Sequence, residues 1–151
     1  MADYYGRRSV VGLPPERVLV ATRHRTFVAH DRSIYVDIYV FNDTEFVRLR
    51  DLAYLLQDAF HVISQDGQER VEMGARYMPI GGEASPPALP HGTARPAHLH
   101  SHTLLIDDAA EQVLSYRVDG EIFYHLSYLA GALGFRLSRD GDTVTLIPAD
   151  L

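Results

Sequence analysis

The apolar residues Leu126, Leu129, Ala130 and Leu133 recur at i, i+3, i+4 and i+7. That spacing turns one stripe of a short helix toward a core. Gly134 follows as a helix stop, because glycine takes the left-handed conformation at no steric cost. Around this helix the period changes. Thr103–Ile106 is a short apolar run and Val113–Val118 alternates weakly. Asp119-Gly120 is a hairpin dipeptide, since both residues tolerate positive φ. Ile122-Phe123-Tyr124 predicts a strand entering the helix, and Phe135–Leu137, Asp140-Gly141 and Val144–Ile147 predict a closing hairpin.

The same grammar occurs earlier in the chain. Shifted by 77 positions, Thr26, Asp31, Val36, Tyr39, Phe46, Leu49, Leu52, Ala53 and Leu56 fall on identical residues, nine identities over positions 26–56 without a gap. After a short length change Phe60 falls on Phe135, and Ser64–Gly67 falls on Ser138–Gly141. Most of these positions are apolar or turn residues, which are what a repeated fold retains. The pattern predicts an α+β chain of two homologous β-β-β-α-β-β units, each an antiparallel sheet packed on one short helix. The units are 18–74 and 101–149. Between them, 75–100 is rich in Pro, Gly and His and reads as a linker. Residues 1–17 show no periodicity and are assigned no element. Units of about 50 residues bury too little surface to be stable alone. They are expected to dock on each other or to form a homodimer.

Composition removes much chemistry. A net charge of −6 argues against binding long nucleic acid through a general basic field. The absence of Cys excludes thiolate metal sites, disulfides and a cysteine nucleophile. All 14 basic residues are Arg, so Schiff-base chemistry and a P-loop lysine are excluded too. No apolar run reaches the roughly 18–20 residues that span a bilayer. The first residues lack the apolar stretch of a secretory signal. The expectation is a cytoplasmic protein, or an extracellular or cell-wall one if a signal has been removed.

Phe46-Val47-Arg48-Leu49-Arg50-Asp51-Leu52-Ala53, with its preceding two-residue turn and its closing Asp66-Gly67 hairpin, resembles the copper amine oxidase N-terminal-like (stalk) domain family. Tyr77-Met78-Pro79-Ile80-Gly81-Gly82-Glu83 is similar to the segment that follows the first copy in tandems of that family. Tyr116–Tyr124 and Leu129–Phe135 carry the likeness in the second copy. The likeness covers about residues 20–83 and 101–148. It implies a tandem stalk fold of bacterial or phage origin, used as a surface stalk or binding accessory. It implies no copper and no cofactor, because the family's metal chemistry belongs to a separate catalytic domain that nothing here matches.

Two readings stand for the strand–helix junction of the first copy. Asp51 caps or charges the helix N-terminus while Arg50 fixes the sheet edge. Alternatively, Arg48 and Arg50 clamp an anion with their guanidinium forks. The ligand site of the second reading comprises Arg48, Arg50, Tyr54, Tyr124 and His125. Val47 and Tyr124 are expected on an outer sheet face that offers a stacking platform. The second copy has His125 and Ser127 where the first has Arg48 and Arg50, so it is expected to bind weakly or only with His125 protonated.

His98, His100 and His102 alternate, and on a regular strand they share a face and meet one metal ion. Without a carboxylate or thiolate at a matching spacing they are read as linker residues, and no metal is expected. No nucleophile elbow or phosphate loop is present, so no catalytic residue is assigned. The chain is expected to be a non-catalytic binding or scaffold module that captures a small anionic, nucleotide-like ligand between its repeats or subunits. The alternative is a cell-surface stalk contacting protein or cell-wall glycan.

Overall fold

Turns fall where the sequence places residues that tolerate positive φ: His30, Asn42-Asp43, Asp66-Gly67, Asp107-Asp108, Asp119-Gly120 and Gly141. Between them the computed structural model, which describes residues 14–149, has these elements in order: β1 (Arg17–Ala29), β2 (Arg32–Phe41), β3 (Thr44–Val47), α1 (Leu49–Leu56), β4 (Phe60–Gln65), β5 (Gln68–Met73), β6 (Ala94–Ile106), β7 (Ala109–Val118), β8 (Glu121–His125), α2 (Leu126–Leu133), β9 (Phe135–Asp140) and β10 (Thr143–Pro148). Neither helix among the described residues is long and apolar enough to cross a membrane.

The strands form one mixed sheet in the order β9-β10-β1-β2-β3-β8-β7-β6-β5-β4. A further antiparallel pairing joins Arg17–Ala21 of β1 to Ala94–His98 of β6, which closes β1, β2, β3, β8, β7 and β6 into a ring. The closing hairpins are exchanged. Hairpin β9–β10 lies beside β1 in parallel, Thr143–Thr145 against Thr26–Val28. Hairpin β4–β5 lies beside β6 in parallel, with Arg70 and Val71 against Leu105 and Ile106.

An α+β chain is what the structure has, but not two antiparallel sheets each on its own helix. The long strands β1 and β6 change neighbour halfway along, and both second neighbours come from the other half of the chain. Two further expectations are corrected. Strand β6 begins at Ala94, so the last seven residues of the proposed linker are sheet; Pro96 is accommodated opposite Leu19. Of residues 1–17, those up to 13 lie outside the described residues, and Arg17 already opens β1.

Two apolar clusters hold the sheet. The inner one draws Val20, Tyr39, Phe46, Ala97, Tyr116 and Phe123 from all six ring strands, so it fills the ring. The larger one joins the buried stripes of both helices, including Leu52 and Leu129, to the other faces of the ring strands and to the hairpins. Both faces of β3 and β8 are therefore covered. Val47 and Tyr124 are buried under the helices and form no solvent-facing platform. Glu45 is buried between Arg25 of β1 and Arg139 of β9. Burial pushes its pKa up, but hydrogen bonds from Arg139 and Arg25 outweigh that and hold it below the usual carboxylate range. This cluster ties the exchanged hairpin β9–β10 to β1 and β3.

Candidate functional site

Strand β3 runs straight into α1, and Arg48 occupies the extended position between them. Its guanidinium sits 4.8 Å above the Phe123 ring. Nε and one terminal nitrogen donate to Glu121 Oε1 at 3.0 and 2.7 Å, and the other terminal nitrogen lies 3.7 Å from Asp51 Oδ2. Two residues on, Arg50 donates to Tyr77 Oη at 3.0 Å and to Ser64 Oγ at 2.7 Å. Its Nε lies 3.5 Å from Glu69 Oε2. Arg117 of β7 reaches the same place and donates to the Gly67 carbonyl at 3.0 Å.

These three arginines, with Glu69 and Glu121, line a cavity of about 280 Å³. Its walls come from both halves of the chain. Behind it, Tyr124 Oη donates to Glu69 Oε1 at 2.8 Å. Burial raises the Glu69 carboxyl above its ordinary pKa, against the opposing pull of Tyr124 and Arg50. It also raises the Tyr124 phenol, with the Glu69 charge adding to the effect. Three guanidinium groups thus converge on one cavity of a protein of net negative charge, with Glu69 and Glu121 among its lining and Asp51 beside Arg48.

Asp51 does not cap α1: no side chain caps that helix. Arg48 holds the cap position, and Asp51 points away to accept the Ala84 N–H at 2.9 Å. It therefore pins the segment between the halves. Its other oxygen is buried without a hydrogen bond. Burial raises its pKa, although the Ala84 N–H and Arg48 pull the other way.

The five predicted residues fall in separate places. Arg48 and Arg50 share the cavity, whereas Tyr124 touches it only through Glu69. Tyr54 lies outside it, under the Arg32 guanidinium and lining a different depression with Arg76 and Tyr77. His125 stands at the junction into α2, where its ring stacks on Tyr128 at 3.8 Å and 8°. Its Nδ1 accepts the Tyr128 N–H, capping α2.

The histidine run makes no shared face. Register shifts on β6 after Leu99 and again after Ser101 break the alternation. His98 is exposed, His100 Nδ1 lies 3.2 Å from Arg117, and His102 lines a second cavity. Among the described residues no group of three or more His, Asp or Glu is placed to hold a metal ion.

Burial lowers the pKa of His125, and burial together with the Arg117 charge lowers that of His100. A histidine depressed in the folded state stays neutral while the unfolded chain takes up protons near pH 6.5. Stability is then expected to be full above that pH and to fall as pH drops toward the folded pKa values. His125→Asn keeps a capping side chain. It should flatten this dependence, measured as urea midpoints between about pH 5 and 7.5, leaving the part due to His100.

Sequence reasoning missed Arg117, Glu69 and Glu121. They come to Arg48 and Arg50 only through the ring and the exchanged hairpin. Compared with family models, with curated proteins and with solved structures, the chain matches none.

Proposed function

We propose that this chain is a non-catalytic binding module built from two copies of one unit, which captures a small anion in the cavity between them. The two-copy reading is supported by element bounds that recur 77 positions apart from β1 with β6 through α1 with α2, and by the resemblance to tandem stalk domains. A crystal structure in which 17–73 and 94–148 failed to superpose would overturn it.

The anion reading rests on one observation: Arg48, beside Arg50 and Arg117, already holds an oxyanion. Glu121 presents its carboxylate to the Arg48 fork from a hairpin end, and its side chain is 55% exposed. A carboxylate or phosphate group of a ligand would take the same donors as Glu121 swings out into water. Charged donors converging on a partly enclosed space are worth more there than on an open surface. Binding is favoured over catalysis because the charged groups of the cavity are engaged with one another, with no nucleophile poised against a base.

Removing the internal competitor tests this. Glu121→Gln is expected to bind inorganic phosphate, a nucleoside monophosphate or glucuronate roughly tenfold more tightly than the native chain in calorimetry, equivalent to about 1.4 kcal/mol. Arg48→Ala should abolish the heat. Silence from Glu121→Gln with all three anions, together with retention of the protein on peptidoglycan, would overturn the anion reading in favour of a surface stalk.

A further inference from the structure

We propose that the cavity of Arg48, Arg50 and Arg117 takes a hydroxylated monocarboxylate built on one sugar ring, a hexuronate, in preference to a phosphate or a nucleotide. The proposal rests on the anion reading of that cavity and adds to it the class of ligand.

Size sets the first limit. A cavity of about 280 Å³ lies at the lower end of the roughly 300–1,000 Å³ usual for ligand sites. It suits one ring with its substituents.

Charge sets the second. Arg48 lies beside both Glu121 and Asp51, and Arg50 beside Glu69. Arg117 is held by neutral groups. It donates to the carbonyls of Gly67 and Gly120 at 3.0 and 3.4 Å and lies 3.2 Å from His100 Nδ1. Once Glu121 swings out, Asp51 and Glu69 still offset two of the three guanidinium charges, and one is left. A monoanion balances it. A phosphate monoester carries about −1.5 to −2 charges at pH 7. It would leave surplus negative charge in a partly enclosed space, where repulsion is weakened less than in water. The group that leaves Arg48 is itself a carboxylate, so a second carboxylate in its place changes neither charge nor the donors used.

The remaining walls choose the body of the ligand. Leu49 and Ile122 supply aliphatic surface, and among the described residues no aromatic side chain lines the cavity. Nucleobases are held largely by stacking on aromatic rings, and here they would find none. The C–H faces of a sugar pack on aliphatic side chains instead. Glu69, Ser64 and Gln68 share the lining. Tyr124 Oη donates to one Glu69 oxygen, and Arg50 Nε stands 3.5 Å from the other. A carboxylate has about four acceptor positions, so Glu69 can take a further donor from a ligand. An ammonium group in that role would face three guanidinium charges, whereas a hydroxyl donates without charge. Ser64 Oγ accepts from Arg50 at 2.7 Å and keeps its own proton to donate. The Gln68 amide both donates and accepts. Hydroxyl groups, donors and acceptors at once, match all three side chains.

Calorimetry on the full chain and on Glu121→Gln, with ligands at up to about 10 mM, compares glucuronate with four probes. Cyclohexanecarboxylate keeps the ring and the charge but no hydroxyl groups, and glucose keeps the ring and hydroxyl groups without the charge. Inorganic phosphate and adenosine monophosphate supply the other anions. Glucuronate is expected to bind about tenfold or more tightly than cyclohexanecarboxylate, phosphate and the nucleotide, and glucose to give no heat. Glu69→Gln should narrow the gap between glucuronate and cyclohexanecarboxylate about tenfold, and Ser64→Ala should narrow it too. Ser64 is exposed, so that variant folds whatever becomes of Glu69→Gln. Hyaluronan separates the two sources of a uronate: binding per uronate equal to that of glucuronate assigns a residue within a polymer, and loss of binding assigns the free acid, either result upholding the class. Equal affinity for glucuronate and any of the four probes, or an undiminished gap in both variants, would overturn the proposal while leaving the anion reading in place. Silence from every anion with both proteins would overturn the two together.

Discussion

Residues 14–93, expressed without the rest of the chain, are expected to stay unfolded, and 94–149 likewise. In the intact protein β1 has β2 on one side, and its other side is shared between β6 and β10. Cut after residue 93, it keeps only β2. Hairpin β4–β5 loses its attachment to β6, and the inner cluster is left with Val20, Tyr39 and Phe46 but without Ala97, Tyr116 and Phe123. A piece this small buries too little surface to offset chain entropy even with its sheet complete. Far-ultraviolet circular dichroism and amide dispersion measure the result. Mixing the two pieces should restore the native spectrum, because every lost pairing is made between them. A folded monomer from either piece alone would sink the exchanged topology.

Phe123→Ala is expected to destabilise the intact chain by about 3–5 kcal/mol, the range for buried aromatic truncations. The ring is 1% exposed. Its loss leaves Tyr39 without its edge-on aromatic neighbour and Arg48 without the face it lies over. Against a typical total of about 5–15 kcal/mol, this is a large fraction of stability. Phe46→Ala, at the corresponding place under His125, should cost a similar amount. Urea unfolding of both variants, with slopes compared to the native chain, checks this. A loss below about 1 kcal/mol at Phe123 would mean that the inner cluster does not carry the ring.

The dipeptides that make tight turns were legible in the sequence, as were the Leu52 and Leu129 stripes, because both depend on residues close in the chain. The long strands were not. Each half of β1 alternates on its own, but Arg23, His24 and Arg25 interrupt the apolar pattern, and the buried parity shifts from Val20 and Thr22 to Phe27 and Ala29. The break falls where β1 leaves β6 and takes up β10, and nothing local announces that change. Ala94–His100 looked like linker because Pro96 and two histidines mask a strand whose one fully buried side chain in that stretch is Ala97. For the site, Arg48 and Arg50 are neighbours and could be found together. Their partners could not: Glu121 is 73 residues from Arg48, and Arg117 reaches the loop of a hairpin 50 residues earlier. Asp51 sat at a capping position by count, but its burial against the linker decided its role.

The exchanged hairpins also fix a timetable. Arg25 of β1 meets Asp142 beside β10, 117 residues later. A ribosome adding about 5–20 residues per second takes roughly 6–23 s to supply that partner. Through that interval the middle of β1 is an open edge, ready to pair with a neighbouring nascent chain. The Arg23-His24-Arg25 stretch, with its two guanidinium groups, that hid the strand from its sequence pattern lies at this waiting edge. The guanidinium groups of Arg23 and Arg25 discourage edge-to-edge pairing there until Asp142 reaches Arg25, which Glu45 of β3 has joined much earlier. The same three residues that obscure the fold on paper protect it during synthesis.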